Sequence, residues 1–177
     1  HQLELSPFLH YFSAYEAFNS GAGKVYFVRM DDISLQVVRT GIGLENARRS
    51  LGVVFEITSP ERDIGRPDFL INFGTAGAIH PDRKINDLVV GTMSTNDMQM
   101  QEVLNIQNTW SHKFEEYLAA SAQTYTSGTI YSTEKSIASS ELRQQIYQRT
   151  QAQVVDMECW SLAEIAAQQG LPLLSIK

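Results

Sequence analysis

The sequence predicts an α/β fold in which helices sandwich a twisted, mostly parallel sheet. The first observation is that β-prone segments alternate with helical ones along the chain. The second is the nearly unbroken apolar run Asp68–Phe73, which suits a central strand covered on both faces. The third is that 43% of the 177 residues are apolar and 19% are charged, enough to bury a sizeable core without disulfides or metals. We expect a single domain over residues 1–177.

The first part of the chain predicts two helices and a β-hairpin. Apolar residues recur at helical spacing near both helices, and Val, Ile and aromatic residues are concentrated in the strands between them. In chain order we expect a helix over Leu3–Phe18, a turn over Ser20–Gly23, strands over Val25–Met30 and Ser34–Thr40 joined at Asp31-Asp32, a helix over Leu44–Ile57, and a loop over Ser59–Pro67.

The rest of the chain predicts alternating strands and helices. Beyond the run that ends at Phe73, strands are expected over Asp87–Met93, Thr126–Tyr131, Gln153–Met157 and after Pro172. Helices are expected over Thr109–Tyr125, Ser136–Thr150 and Glu158–Gln169, the last ending at Gly170. The polar stretch Thr95–Asn108 predicts no element.

Composition excludes several classes of function. A net charge of −6 without a basic cluster argues against nucleic-acid binding, and no apolar run is long enough to span a membrane. The single cysteine, Cys159, rules out an internal disulfide and fits a reducing compartment, so we expect a cytoplasmic protein. We expect no metal and no cofactor, because the histidines lack ligand spacing; they are His1, His10, His80 and His112.

In α/β sheets ligands bind at the carboxyl ends of strands, so the turns after strands carry the functional signal. The turn Thr40–Gly43 would expose backbone N–H groups at a helix start, which suits an anion or a polar sugar. A dinucleotide fingerprint is a rival, with Asn46 in place of its third glycine and Glu61 as its acidic residue. The remaining alternative is a glycine turn needed only for geometry.

Two further turns follow predicted strands. The segment Asn72–Gly77 offers small residues and one hydroxyl, which indicates either a ligand or tight packing of strand against helix. At Val154–Glu158 two carboxylates lie where strand becomes helix, although buried strands normally avoid carboxylates. Either Asp156 or Glu158 caps the helix, or Glu158 accepts hydrogen bonds from a polyol such as ribose. Met157 would then provide a soft apolar wall.

Together these turns resemble the nucleoside phosphorylase/nucleosidase superfamily. The motifs occur in the family's order, as Thr40–Gly43, Ile71–Ala78, Ile85–Val90, Val155–Glu158 and Leu171–Leu174. The resemblance implies a three-layer αβα sandwich with a central mixed, mostly parallel sheet. It is closest to 5′-methylthioadenosine/S-adenosylhomocysteine nucleosidases, because Asn72 stands where phosphorylases of the superfamily carry a phosphate-binding Arg. An amide lacks the guanidinium fork that grips phosphate, so water is the expected nucleophile.

The resemblance implies a substrate-binding set at the ends of the predicted strands. Its members are Thr75, Gly77, Tyr131, Ser132, Asp156, Met157 and Glu158. Glu158 would bind the ribose 2′ and 3′ hydroxyls while Met157 packs against the sugar. Tyr131 would stack on the purine, unless it is a core aromatic, and Ser132 would present backbone to the base edge. Glu4 would orient the attacking water, unless it is an exposed helix residue.

The implied reaction is hydrolysis of a purine N-glycosidic bond through an oxocarbenium-like sugar, with protonation of the leaving purine. We expect the family's acidic Asp to lie beyond Lys177, and the first strand and C-terminal helix of the fold to lie outside this sequence. The expected partners are a small nucleoside, in nucleoside catabolism and methionine salvage, and a second copy in a homodimer. A phosphate-dependent phosphorylase and a non-catalytic nucleoside-binding member stay open as alternatives.

Overall fold

The computed structural model describes residues 2–12, 15–20, 23–30, 32–58 and 65–177. Within these ranges it leaves undescribed the side chains of Gln2, Leu3, Glu4, Pro7 and Ser20. The chain divides into two compact units, His1–Arg66 and Pro67–Lys177, and each is described by itself. The single domain expected from the sequence stays a prediction.

The first unit is a small antiparallel sheet with two helices. Its elements are α1 (Gln2–His10), β1 (Glu16–Ser20), β2 (Gly23–Met30), β3 (Ile33–Val38) and α2 (Leu44–Glu56). The sheet order is β1-β2-β3, and the β2–β3 pairing confirms the expected hairpin. Val25 and Val28 of β2 are almost fully buried, and α2 buries Ala47, Leu51 and Val54, which recur at helical spacing.

The helix expected over Leu3–Phe18 is wrong in its second half. Helix α1 ends at His10, and the apolar residues Ala17 and Phe18 lie in strand β1. The reason is tertiary: β1 forms an antiparallel ladder with β2, and Phe18 packs edge-to-face on Phe27 with ring centroids 5.3 Å apart. Strand pairing therefore overrides the helical spacing.

Several predictions in this unit fall outside the described residues. They concern part of the turn over Ser20–Gly23, the Asp31 position of the hairpin, and residues 59–64 of the expected loop.

The second unit is a mixed sheet flanked by helices. Its elements are β4 (Leu70–Phe73), β5 (Gly77–Ala78), β6 (Val89–Thr95), β7 (Leu104–Asn105), α3 (Thr109–Ala120), β8 (Thr126–Ser132), α4 (Ser140–Thr150), β9 (Val154–Asp156), α5 (Cys159–Gln169) and β10 (Leu173–Ile176). Among the described helices, none is long and apolar enough to cross a bilayer.

The strand order, β4-β10-β6-β8-β9-β5, requires the sheet to curl. In a flat sheet, strands about 4.8 Å apart would place the two outer strands roughly 24 Å from each other. Strand β4 ends at Phe73 and β5 begins at Gly77, and four residue steps reach at most roughly 14 Å. The short link between β4 and β5 therefore draws the two edges of the sheet together.

Alternation along β10 places helices on both faces of the sheet. Leu174 packs in a cluster with Leu118 of α3, whereas Ser175 accepts a hydrogen bond from the Cys159 thiol of α5. Successive strand residues point to opposite faces, so α3 and α5 cover opposite sides. The longer ladders, β6–β8, β8–β9 and β4–β10, are parallel, while β5–β9 and β6–β7 are antiparallel. The α/β class with a mixed, mostly parallel sheet between helices is confirmed.

Two details differ from the sequence prediction. Strand β4 lies at the edge of the sheet rather than at its centre, and Ile71 and Phe73 are exposed on either side of buried Asn72. The polar stretch Thr95–Asn108, which the sequence leaves unassigned, contains β7, which pairs with β6. A two-residue strand is too short to leave a periodic pattern in the sequence.

Gly91 in β6 marks a close approach of neighbouring strands. A Cβ there would lie 2.7 Å from Ile130 Cδ1 and 3.0 Å from Ile106 Cδ1, and Ile130 is fully buried. We expect Gly91→Ala to lower the free energy of unfolding by about 1–3 kcal/mol through overpacking. Denaturant titration followed by circular dichroism measures the change.

Gly52→Ala is the matched control. Gly52 lies within α2, and a Cβ there would meet nothing within 4 Å. This variant should be stabilised by roughly 0.5–1 kcal/mol, because alanine restricts the unfolded chain and favours the helix. Equal effects of the two substitutions would contradict the packing described for β6.

Candidate functional site

The junction between β9 and α5 gathers most of the residues predicted from the sequence. Val155 of β9 is opposite Tyr131 of β8 on one side and opposite Gly77 of β5 on the other. The next pair in the ladder is Ser132 and Asp156. Met157 and Glu158 follow directly, where the strand gives way to α5.

Asp156 is the centre of this junction. Its side chain has no solvent exposure, and its carboxylate lies 2.9 Å from Lys177 Nζ. Ser132 Oγ donates to Asp156 Oδ1 at 2.6 Å, and the Cys159 N–H donates to Oδ2 at 3.0 Å. Asp156 therefore caps α5, as one of the two alternatives from the sequence proposed. Its assignment as a substrate contact stays a prediction.

Lys177 is a buried cation at the end of β10. Its side chain is 2% exposed, and its ammonium donates to Asn72 Oδ1 at 3.3 Å as well as facing Asp156. Burial is the largest single effect on the pKa of Lys177 and lowers it, but the charges of Asp156, Cys159 and Glu158 and the hydrogen bond to Asp156 together outweigh burial, so that the pKa is raised above its ordinary value. The charge therefore stabilises the fold at neutral pH, and that stabilisation is lost only as the pH rises through the folded-state pKa.

Asn72 continues the buried network to the edge strand. Its Nδ2 donates to Ser175 Oγ at 3.0 Å, and Ser175 Oγ also accepts from the Cys159 thiol at 3.4 Å. With Lys177 on its carbonyl oxygen, the Asn72 amide is held at both ends. We call these six residues the buried polar network: Asn72, Ser132, Asp156, Cys159, Ser175 and Lys177.

Sequence reasoning missed three members of the network, Cys159, Ser175 and Lys177, as site residues. A usable signal was present, because a lysine that ends an apolar strand must find a carboxylate when the strand is buried. The carboxylate predicted to be out of place in a buried strand, Asp156, is its partner.

Glu158 precedes α5 and is partly buried. Its Oε2 accepts a hydrogen bond from the Met157 N–H at 3.2 Å, and it does not cap the N–H groups of the helix. Met157 is also partly buried and lies between the two carboxylates. Both residues therefore lie at the carboxyl end of β9.

Thr75 and Gly77 lie in and just after the link that joins β4 to β5, and both are exposed. A Cβ on Gly77 would lie 3.1 Å from Val155 Cγ1, which is tighter than ordinary contact. Glycine therefore allows β5 to approach β9 next to the Met157–Glu158 step. The structure thus brings the glycine turn and the acidic turn together.

Tyr131 has a different environment from its neighbour Ser132. It is 8% exposed and packs with Ile79, Ile146 and Val155 in a hydrophobic cluster. Burial, and then the charge of Asp97, raise the pKa of its phenol. This packing is what the core-aromatic alternative expects, and stacking of Tyr131 on a purine stays a prediction.

The remaining predicted features belong to the first unit. Gly41 and Gly43 have φ of +78° and +102°, in the left-handed region that favours glycine, and Gly43 precedes α2. Asn46 bonds back to the Ile42 carbonyl at 2.7 Å. The turn lines a cavity of about 300 Å³ together with Leu5, Lys24, Tyr26, Arg39, Thr40 and Asn46. The side chain of Glu4 and the whole of Glu61 lie outside the described residues, so their roles stay predictions.

A family model named "Phosphorylase superfamily" matches residues 2–177, which is nearly the whole chain. The chain belongs to the phosphorylase superfamily. A search of curated proteins finds no significant match. The family match over residues 2–177 confirms the resemblance drawn from the turn motifs.

Solved structures similar to this superfamily member are nucleosidases and a related hydrolase. A 5′-methylthioadenosine/S-adenosyl homocysteine nucleosidase of Campylobacter jejuni is 19% identical with a TM-score of 0.87, covering 100% of this chain and 80% of that one. A futalosine hydrolase mutant of Helicobacter pylori is 18% identical with a TM-score of 0.86, covering 98% and 83%.

A third similar structure contains a nucleoside analogue. The S-adenosylhomocysteine nucleosidase of Streptococcus pyogenes, in complex with 5-methylthiotubericidin, is 20% identical with a TM-score of 0.83, covering 98% of this chain and 77% of that one. At these identities the likeness establishes the nucleoside phosphorylase-like fold of the chain.

Ser132 gives a direct test of the buried polar network. Its hydroxyl donates to Asp156 and accepts from the Trp160 N–H at 3.0 Å. Ser132→Ala leaves both groups buried without this partner, so we expect the free energy of unfolding to fall by about 1–3 kcal/mol.

Ser161→Ala is the control for that substitution. The Ser161 hydroxyl is fully buried as well, but it has no hydrogen-bond partner among the described residues. Its removal should change the free energy of unfolding by less than about 0.5 kcal/mol, or stabilise the protein. A larger loss for Ser161→Ala than for Ser132→Ala in denaturant titrations would contradict the network.

The thiol of Cys159 should be inert in the folded protein. It is fully buried, and burial together with the charge of Asp156 raises its pKa to about 11. Because thiolate is the reactive form, we expect a disulfide reagent at pH 8 to label no cysteine in native protein and one per chain in guanidinium. Stoichiometric labelling of the native protein would contradict the burial of this group.

Proposed function

We propose that this chain hydrolyses the N-glycosidic bond of a purine nucleoside or thionucleoside, with water as the nucleophile. Membership of the phosphorylase superfamily supports chemistry at a nucleoside. The proposal depends most on one observation, the position of Glu158. This partly buried carboxylate lies where β9 meets α5, next to Met157 and close to the glycine turn at Gly77.

In the proposed complex Glu158 accepts hydrogen bonds from the 2′ and 3′ hydroxyls of ribose. Each of the two oxygens of a carboxylate can accept a hydrogen bond from one hydroxyl of a vicinal diol, and the sugar needs no charge for this. Met157 provides an apolar wall against the ribose, and Thr75 and Gly77 line the sugar and base side of the pocket. Holding the sugar hydroxyls also favours the flattened, positively charged sugar of the transition state, because Glu158 is negative.

The reaction itself balances with water alone. The C1′–N9 bond breaks with its electron pair moving to the purine, and the water oxygen bonds to C1′. The proton that the water loses is balanced by the proton that the purine gains. In this proposal Glu4 orients the water, Ser132 presents backbone to the base edge, and Tyr131 lies on the base side.

The environment of Asn72 supports water rather than phosphate as the nucleophile. Its amide is engaged by Lys177 and by Ser175, and it carries no positive charge. Lys177, the cation that contacts it, is already paired with Asp156. Phosphate needs unpaired cationic donors, whereas a water molecule does not.

The finer assignments follow the structures that this chain resembles. Two of those structures are named as nucleosidases, one for 5′-methylthioadenosine/S-adenosyl homocysteine and one for S-adenosylhomocysteine. We propose a substrate of this type, which would place the protein in methionine salvage. A cytoplasmic location is proposed with it, since the single buried thiol suits a reducing compartment. A homodimer is proposed from the resemblance to the family alone.

The test is release of adenine from 5′-methylthioadenosine in phosphate-free buffer. Wild-type protein should release adenine and free sugar, and adding phosphate should leave the rate unchanged. Product that forms only with phosphate would support a phosphorylase. Binding of the nucleoside without product would support a non-catalytic member of the family.

Glu158→Gln tests the sugar contact within that assay. We expect kcat/KM to fall by about 10- to 100-fold, because a charged hydrogen-bond acceptor worth about 1.5–3 kcal/mol becomes neutral. Glu116→Gln makes the same change on an exposed position of α3 and should leave kcat/KM unaltered. Equal kinetics for wild type and Glu158→Gln would remove Glu158 from the sugar site.

A further inference from the structure

We infer that Asp156 and Lys177 are positioning residues that fix Glu158, and that Asp156 acts through Glu158 rather than on the substrate. The inference rests on the proposed role of Glu158 at the sugar. It assigns Asp156 a different part from the substrate contact predicted from the sequence.

Hydrogen bonds to Asp156 hold the backbone on both sides of Glu158. The carboxylate of Asp156 accepts the N–H of Cys159 at 3.0 Å and 3.3 Å from its two oxygens. These bonds close a loop whose only intervening residues are Met157 and Glu158. The backbone that carries the Glu158 side chain is therefore clamped on both sides by one buried carboxylate.

The partners of Asp156 come from other strands of the sheet. Lys177 comes from β10 and Ser132 from β8, so the clamp is tied to two further strands of the sheet. Ser132 also accepts the N–H of Trp160, the second residue of α5. The first turn of the helix is thus anchored to the sheet by two side chains, and Glu158 immediately precedes it.

Asp156 and Lys177 form a buried pair of opposite charges. Asp156 and Lys177 are both almost fully buried, and such pairs gain little stability over apolar residues of the same size. The Lys177 ammonium contacts Asp156 of β9 and Asn72 of β4, and the charges of Cys159 and Glu158 also help to raise its pKa. The Lys177 ammonium therefore interacts electrostatically with Glu158 as well as with Asp156. In this inference the Asp156–Lys177 pair links the sheet to Glu158, the carboxylate proposed to bind the sugar.

The experiment is a double-mutant cycle between the clamp and Glu158. Kinetic constants for nucleoside hydrolysis are measured for wild type, Asp156→Asn, Glu158→Gln and the double variant. We expect Asp156→Asn to raise KM by about 10- to 100-fold, as misplacement of a binding group by an ångström does. In the Asp156→Asn background, Glu158→Gln should change KM by less than about threefold, because a carboxylate that is already displaced contributes little to substrate binding.

A second double-mutant cycle tests the coupling between Lys177 and Glu158. Lys177→Met should raise KM, and in the Lys177→Met background Glu158→Gln should change KM by less than about threefold. Lys177→Arg should recover most of the loss because it restores the charge. This arm does not depend on the folding of Asp156→Asn. Asp87→Asn is the control, since Asp87 also pairs with a cation, Arg83 at 3.4 Å, but lies outside the network. Its KM should match that of wild type.

The outcomes separate the two claims. If the wild-type protein is active but the substitutions at Asp156 or Lys177 and at Glu158 change KM by independent, multiplicative factors, this inference is overturned and the proposed function stands. Loss of stability in Asp156→Asn and in Lys177→Met with KM unchanged would overturn it as well. Wild type that neither binds nor cleaves nucleosides would overturn both.

Discussion

The constraint on which the site depends is the short link between β4 and β5. These strands form opposite edges of the sheet in the second unit, yet only three residues separate them in sequence. The sheet has to curl so that its edges approach each other. Curling brings the end of β10 within reach of the end of β9, although two strands lie between them. Lys177 and Asp156 can then meet at 2.9 Å across the inside of the sheet.

Once the sheet is curled, its interior must satisfy the polar groups that it buries. An isolated buried lysine or aspartate would be prohibitively unstable as a charged group, but each has the other as a partner. Asn72, Ser132 and Ser175 complete the hydrogen bonds, and the first N–H groups of α5 share in them. The helix thereby begins at a fixed place, and Glu158 immediately before it is fixed too. Stability and the geometry of the candidate site come from the same contacts.

The sequence predicted the fold class and the acidic turn because both leave local patterns. Alternating strands and helices indicate the sheet, and a carboxylate pair after an apolar strand is visible in five residues. The missed features are non-local. Residues 11–18 show helical spacing, and only pairing with β2 makes part of this segment a strand. Lys177 becomes a site residue only when the sheet curls. Alternation along β8 places Tyr131 in a hydrophobic cluster, as the core-aromatic alternative expects, and its contact with a purine stays a prediction.

The most direct measurement is a crystal structure of the protein with a bound methylthioadenosine analogue. The account predicts both ribose hydroxyls within about 2.5–3.0 Å of the Glu158 carboxylate, with Asp156 still paired to Lys177 and out of reach of the ligand. An analogue bound elsewhere, or one whose sugar is held by Asp156 while Glu158 faces solvent, would contradict it.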